Sequence, residues 1–229
     1  MLLHGKTGSP AQFAGMAAML NETGYGVEMP EMCWSARRIY DQPLDKCFAD
    51  IDVAIARLKV DGFDSIVVGG HSLGGLVALA YGASHEGLAG IVALAPDGEP
   101  GDFNRHAKVA ASVGRATAMA AAGHGGDTVT FTDRVLGRDF TIHATPRAFL
   151  SFLGPGSSLR PGRLLPALKA PIFWAAGTKD TSQTGAAALF ATAPPDDLNR
   201  FLSLNASHMG TPGAALLPLI DWLDRIAGN

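Results

Sequence analysis

The sequence predicts an α/β fold, a mostly parallel sheet of about six strands with helices on both faces. Three observations carry this expectation. Short apolar runs alternate with longer amphipathic ones along most of the 229 residues. Two of the short runs, residues 65–70 and 90–95, contain no charged residue, as central strands buried on both faces do not. The 28 glycines and 14 prolines have no collagen-like period and fall between the runs, where they mark tight turns.

Taken in order, residues 1–4 begin as a strand, and residues 10–23 read as a helix that ends at Gly24. Residues 26–29 form a short strand. Over residues 41–60 the apolar positions Leu44, Phe48, Ile51, Ile55 and Leu58 recur at helical spacing, and Gly62 closes the helix. The buried strand 65–70 leads into a small-residue helix over 76–82, and the strand 90–95 ends at Pro96. The alternation then stops. Residues 97–170 read as an insertion, or cap, with a helix over 103–122, strands at 129–132 and 140–143 joined through Leu136-Gly137-Arg138 as a hairpin, and a helix over 146–153. The sheet pattern resumes with a strand at 171–176, a helix around 186–191, a strand at 201–204 and a closing helix over 214–226. The expected division is therefore a core of residues 1–96 and 171–229 and a cap of residues 97–170.

Composition sets outer bounds on function. Hydrophobic residues make up 47% and charged residues 17%, enough to build a large core and too apolar for a disordered chain. With 18 Lys and Arg against 21 Asp and Glu the net charge is −3, so nucleic acid and anionic membranes are not expected partners. Residues 97–170 carry +3 and the remainder −6, an asymmetry that reads first as a solvated surface. No apolar run approaches the roughly 18 residues of a membrane span. His4-Gly5-Lys6 interrupts the first apolar residues too early for a signal peptide, so a cytoplasmic address is expected unless an upstream targeting segment has been removed. Cys33 and Cys47 are too few for a disulfide framework and form no C-x-x-C pair, and they read as reduced, buried thiols.

The strongest chemical signal is Gly70-His71-Ser72-Leu73-Gly74, a G-x-S-x-G between a buried strand and a helix. A serine on so sharp a turn has its hydroxyl pushed out of the sheet, and the helix start aims N–H groups at a developing oxyanion. Ser72 needs a base. Among seven histidines His208 fits best, in the turn-rich stretch Asn205-Ala206-Ser207-His208-Met209-Gly210 after the last expected strand. An acid must orient that imidazole. Asp180, in Gly177-Thr178-Lys179-Asp180, is favoured because it completes the order Ser, Asp, His with a strand before each, although it would serve equally as a helix N-cap. Asp97 competes for the role. Gly5-Lys6-Thr7 matches only the end of a P-loop, and no dinucleotide fingerprint or zinc spacing occurs, so no cofactor or metal is expected.

On His4-Gly5, the Gly70 to Gly74 elbow, Gly177 to Asp180 and Ser207 to Gly210, the sequence resembles the α/β-hydrolase superfamily over nearly its whole length. The resemblance implies Ser72 as nucleophile, His208 as base and later acid, Asp180 as its partner, and an oxyanion hole of the Lys6 and Leu73 amides. His4 would brace the loop and His71 would pack beside the elbow. The superfamily's first two strands are missing ahead of the His-Gly loop, which makes the chain either a compact version or one that starts further upstream. The Lys6 ammonium, unusual at its position, would bias the site towards anionic acyl groups. The expected activity is a cofactor-free serine hydrolase acting on a small-molecule carboxylic ester. A haloperoxidase or C–C bond hydrolase on the same triad, or a non-catalytic binding module, are the alternatives.

Overall fold

A computed structural model of the chain describes residues 1–98 and 105–228. Five strands form a wholly parallel sheet: β1 (Leu2–Leu3), β2 (Val67–His71), β3 (Gly90–Leu94), β6 (Ile172–Gly177) and β7 (Arg200–Leu204), side by side in that order. The segment expected as a strand at 26–29 lies beside β1, and Leu2 N–H donates to the Glu28 carbonyl at 2.9 Å. It makes no ladder, so among the described residues the sheet has five strands where about six were expected.

Both faces of the sheet are covered, and the strand residues divide between them with period two. Ile91, Ala93, Ile172, Trp174 and Ala176 face one cluster, with helices α2 (Leu44–Val60) and α3 (Leu73–Ser84). Val92, Leu94, Phe173 and Ala175 face the other, with α1 (Ala14–Glu22) and α8 (Thr211–Ala227). α3 is buried from Leu73 to Gly82, which explains its apolar and small residues on every side. α2 buries Leu44, Cys47, Ile51, Ala54 and Leu58 in one stripe, as its spacing requires.

Between β3 and β6 the chain forms α4 (Ala107–Ala121), the antiparallel pair β4 (Val129–Val135) and β5 (Arg138–Ala144), α5 (Pro146–Leu153) and the single turn α6 (Pro161–Leu164). The hairpin turns on Leu136 and Gly137, with φ 46° and 79°. Two successive positive φ values match the right-handed twist of the flanking strands. Thr145 caps α5 by accepting the Ala148 N–H at 3.1 Å. The start of the helix expected over 103–122 lies outside the described residues. A further short helix, α7 (Ala186–Phe190), follows β6.

Cys33 and Cys47 are joined in a disulfide, contrary to the reduced thiols expected of them. Two cysteines make no framework, but a single pair needs only backbone proximity, and their Cα atoms are 5.9 Å apart. Ile39 and Tyr40, with φ 36° and 54°, turn the intervening loop back onto the start of α2. Sequence spacing alone carries no sign of that reversal.

Candidate active site

Ser72 joins the end of β2 to the start of α3 with φ 56° and ψ −124°, a left-handed conformation rarely held by a non-glycine residue. The turn is this tight because β1 and α3 pass almost in contact beneath it. A side chain at Gly74 would run into the Leu3 carbonyl, and one at Gly70 would meet the backbone of Gly74. The two flanking glycines of the motif are thus required by space. Leu73 opens α3, where the first amides have no carbonyl one turn back to receive them.

His208 and Asp180 come together from the loops after β7 and β6. His208 Nδ1 donates to Asp180 Oδ2 at 2.6 Å. The other carboxylate oxygen, Oδ1, accepts from the Ser182 amide at 3.0 Å and the Ser182 hydroxyl at 2.6 Å. Asp180 is therefore both the cap of a short turn and the partner of a histidine, with one oxygen for each task. Burial by itself would raise the Asp180 pKa, but the bonds from Ser182 and His208 outweigh it and hold the carboxyl below its ordinary value. The Ser72 hydroxyl donates to Asp97 Oδ1 at 2.9 Å, so the two acids contact different members of the set. Ser72, His208, Asp180, Asp97 and Lys6 all line one cavity of about 730 Å³.

Behind these groups runs a relay that the sequence did not suggest. Gln12 Oε1 accepts the Gly5 N–H at 2.8 Å, which leaves its Nε2 facing His71 Nδ1 at 2.7 Å. The amide nitrogen can only donate, so the proton of His71 sits on Nε2, which donates to the His208 carbonyl at 3.0 Å. Burial, and then the neighbouring His208 ring with its centroid 4.7 Å away, lower the His71 pKa to about 4. His71 packs beside the elbow as a neutral prop. His4 is neutral as well, its pKa lowered by burial. It bonds the Gly5 carbonyl through Nδ1 at 2.9 Å and takes the Met32 N–H on Nε2 at 3.1 Å.

The Lys6 ammonium is paired with a buried carboxylate, counter to the expected bias towards anionic acyl groups. Its Nζ lies 3.1 Å from Asp133 Oδ1, and the two side chains are only 3% and 0% exposed. Tyr40 Oη donates to the other Asp133 oxygen at 2.8 Å, and the Arg134 amide bonds Oδ1 at 2.6 Å. The ammonium is thus neutralised by the hairpin. Neither Asp133 nor Tyr40 stood out in the sequence, because their role depends on a contact 127 residues from Lys6.

Among the described residues no cluster of His, Cys, Asp and Glu is arranged to hold a metal ion, and no helix is long and apolar enough to cross a membrane. A second cavity, of about 340 Å³, lies at the opposite ends of the strands among Leu2, Tyr25, Phe63 and Leu223. Its lining is mostly apolar and includes none of the residues that line the first cavity.

No curated protein matches the chain. Its structure is similar to that of one chain from the pair LipS and LipT, metagenome-derived lipolytic enzymes, with a TM-score of 0.70 at 20% identity over 100% of this chain and 92% of that one. It is similar to a monoacylglycerol lipase of Paleococcus ferrophilus, with a TM-score of 0.69 at 18% identity over 98% of this chain and 93% of that one. A thioesterase domain from the curacin biosynthetic pathway follows the same fold, with a TM-score of 0.59 at 16% identity over 97% and 89%. At such identities these likenesses concern the fold. The parallel sheet, the serine at its strand-to-helix elbow and a sequence match to the alpha/beta hydrolase family over residues 2–227 agree, and the chain belongs to that family.

Proposed function

We propose that the protein is a serine hydrolase that cleaves a carboxylic ester or related acyl bond through an acyl-enzyme. Family membership supports hydrolysis, and the bond from His208 Nδ1 to Asp180 at 2.6 Å is the observation that carries the mechanism. That bond fixes the proton on Nδ1 and leaves Nε2 as the acceptor a general base needs. In this reading Ser72 turns from Asp97 to His208, loses its proton to Nε2 and attacks the carbonyl carbon. The Leu73 and Lys6 amides hold the oxyanion, the alcohol leaves with the proton from His208, and water activated by the same imidazole releases the acid. Asp180 stabilises the imidazolium formed in each half-reaction. Residues 97–170 are the cap, and Arg134 to Gly137 of its hairpin line the cavity. The lipolytic and lipase names among the similar structures favour oxygen esters as the substrate class.

Labelling with a neutral fluorophosphonate, followed by mass mapping, tests this directly. The expected result is a single adduct on the peptide containing Ser72, absent in Ser72→Ala and strongly slowed in His208→Ala. An unlabelled wild type, or equal labelling of Ser72→Ala, overturns the assignment.

A further inference from the structure

The second acid of the site, Asp97, takes no proton in the mechanism above and only releases the Ser72 hydroxyl. Asp97 Oδ1 takes the Ser72 hydroxyl at 2.9 Å, and the Asp97 amide returns a bond to the Ser72 carbonyl at 3.1 Å. The carboxylate is therefore held against the nucleophile by main chain as well as side chain. It is half-buried and lines the reaction cavity, and among the described residues no cation pairs with it. Lys6 is matched by Asp133, and Arg134 by Asp139 at 2.5 Å, while Arg105 and His106 line the cavity as well.

Two physical consequences follow. The bond to Asp97 occupies the hydroxyl that His208 must engage. Reaction also requires a carbonyl carbon about 3–3.5 Å from the Ser72 oxygen. Groups carried on the carbon next to that carbonyl then fall within hydrogen-bonding reach of Asp97. A bare methyl group there would leave the carboxylate's hydrogen bond to Ser72 in place, and an anion would be repelled. A donor would be stabilised by a charge-assisted bond.

We propose that Asp97 is a specificity-determining residue, selecting esters that carry an ammonium or hydroxyl group on the carbon next to the scissile carbonyl. The donor of the substrate replaces the Ser72 hydroxyl on Asp97 Oδ1, and the freed hydroxyl turns to His208. No proton is transferred in this exchange; one hydrogen bond to the carboxylate breaks as another forms. The proposal rests on the reading of Ser72 as nucleophile and names the substrate class of that same site.

The test uses methyl esters on one carbon skeleton: alanine methyl ester as the ammonium, methyl lactate, methyl isobutyrate and monomethyl methylmalonate. They place an ammonium, a hydroxyl, a methyl and a carboxylate on the same carbon. Wild type should hydrolyse the alanine and lactate esters with kcat/KM about tenfold or more above the isobutyrate ester, and the methylmalonate ester slowest. In Asp97→Asn, which keeps an acceptor oxygen without the charge, the ammonium ester should lose its advantage while the hydroxyl ester keeps part of its own. In Asp97→Ala both esters should fall by about tenfold or more relative to the isobutyrate ester. A protein labelled at Ser72 by fluorophosphonate that hydrolyses the isobutyrate ester as fast as the others, or hydrolyses none of them, overturns the proposal and leaves the serine mechanism standing. A donor preference of unchanged size in Asp97→Ala also overturns it. Failure of labelling at Ser72 overturns the mechanism itself.

Discussion

The side-chain amide of Gln12 joins the loop after β1, the elbow and the His208 loop, because it satisfies Gly5 N–H and His71 Nδ1 at once. Gln12→Ala leaves both groups without partners and should lower stability by about 1–3 kcal/mol. Because His208 then loses its prop, kcat should fall by about tenfold with KM little changed. A merely structural role would not move the His71 titration, whereas Gln12→Glu should. A carboxylate at that place cannot donate to Nδ1 and favours the imidazolium, so NMR titration should find the His71 pKa above its value of about 4. The same ring sets a pH dependence of stability. Its folded pKa lies below the ordinary 6.5, so the unfolded chain binds the proton first as pH falls. Stability is then complete above about pH 6.5 and declines towards pH 4, by about 3 kcal/mol in total from this ring. Urea unfolding across that window should give a shallower decline in His71→Asn than in wild type.

At the level of elements, the loop closed by Cys33 and Cys47 is the seat of the His4 to Gly8 segment, which carries the proposed oxyanion amide of Lys6. Thr7 N–H donates to the Trp34 carbonyl at 2.9 Å, Ala36 N–H to the Gly8 carbonyl at 3.1 Å, and Trp34 Nε1 to the His4 carbonyl at 2.8 Å. Tyr40 in the same loop holds Asp133, which holds Lys6. The two cysteines are 14 residues apart, and a loop of that size corresponds to about 3 kcal/mol of stabilisation. Cys33→Ala/Cys47→Ala should lose about that much in denaturant unfolding and should lower kcat more than it raises KM. Unchanged kcat in a folded variant would show that the loop holds the oxyanion segment without the bond. A disulfide is at home in an oxidising compartment, so this pairing and the expected cytoplasmic address pull in opposite directions. Elements with local causes were legible in the sequence: the α2 stripe, the hairpin around Leu136-Gly137, the elbow, and Pro146 to Leu153 as a helix. The disulfide, Gln12 and the Lys6–Asp133 pair were not, because each joins segments whose approach is set by the whole sheet. Residues 26–29 were read as a strand from their composition, yet only one backbone bond to β1 forms there. Pro218 lies within α8 without ending it, the packing of Ala215, Leu216, Leu219 and Trp222 holding the helix together on both sides.

Across the whole molecule, the region between β3 and β6 shares its core with the sheet among the described residues. Val109, Phe131, Ile142, Phe149 and Phe152 belong to the same buried cluster as Ile91, Ala93 and Trp174 of the sheet. Unfolding in urea should therefore be one cooperative transition, with the same midpoint by tryptophan fluorescence and by circular dichroism. Separate midpoints would mean that the region between β3 and β6 melts independently. The parallel arrangement also governs the order of assembly during synthesis. β1 pairs with β2 more than 60 residues later, and β3 waits for β6 across the stretch that contains β4 and β5. The β4–β5 hairpin, by contrast, closes over two residues and needs no distant partner. A nascent chain would thus form its hairpin while β3 still exposes an apolar edge, and that edge is the surface a chaperone would have to shield until β6 emerges.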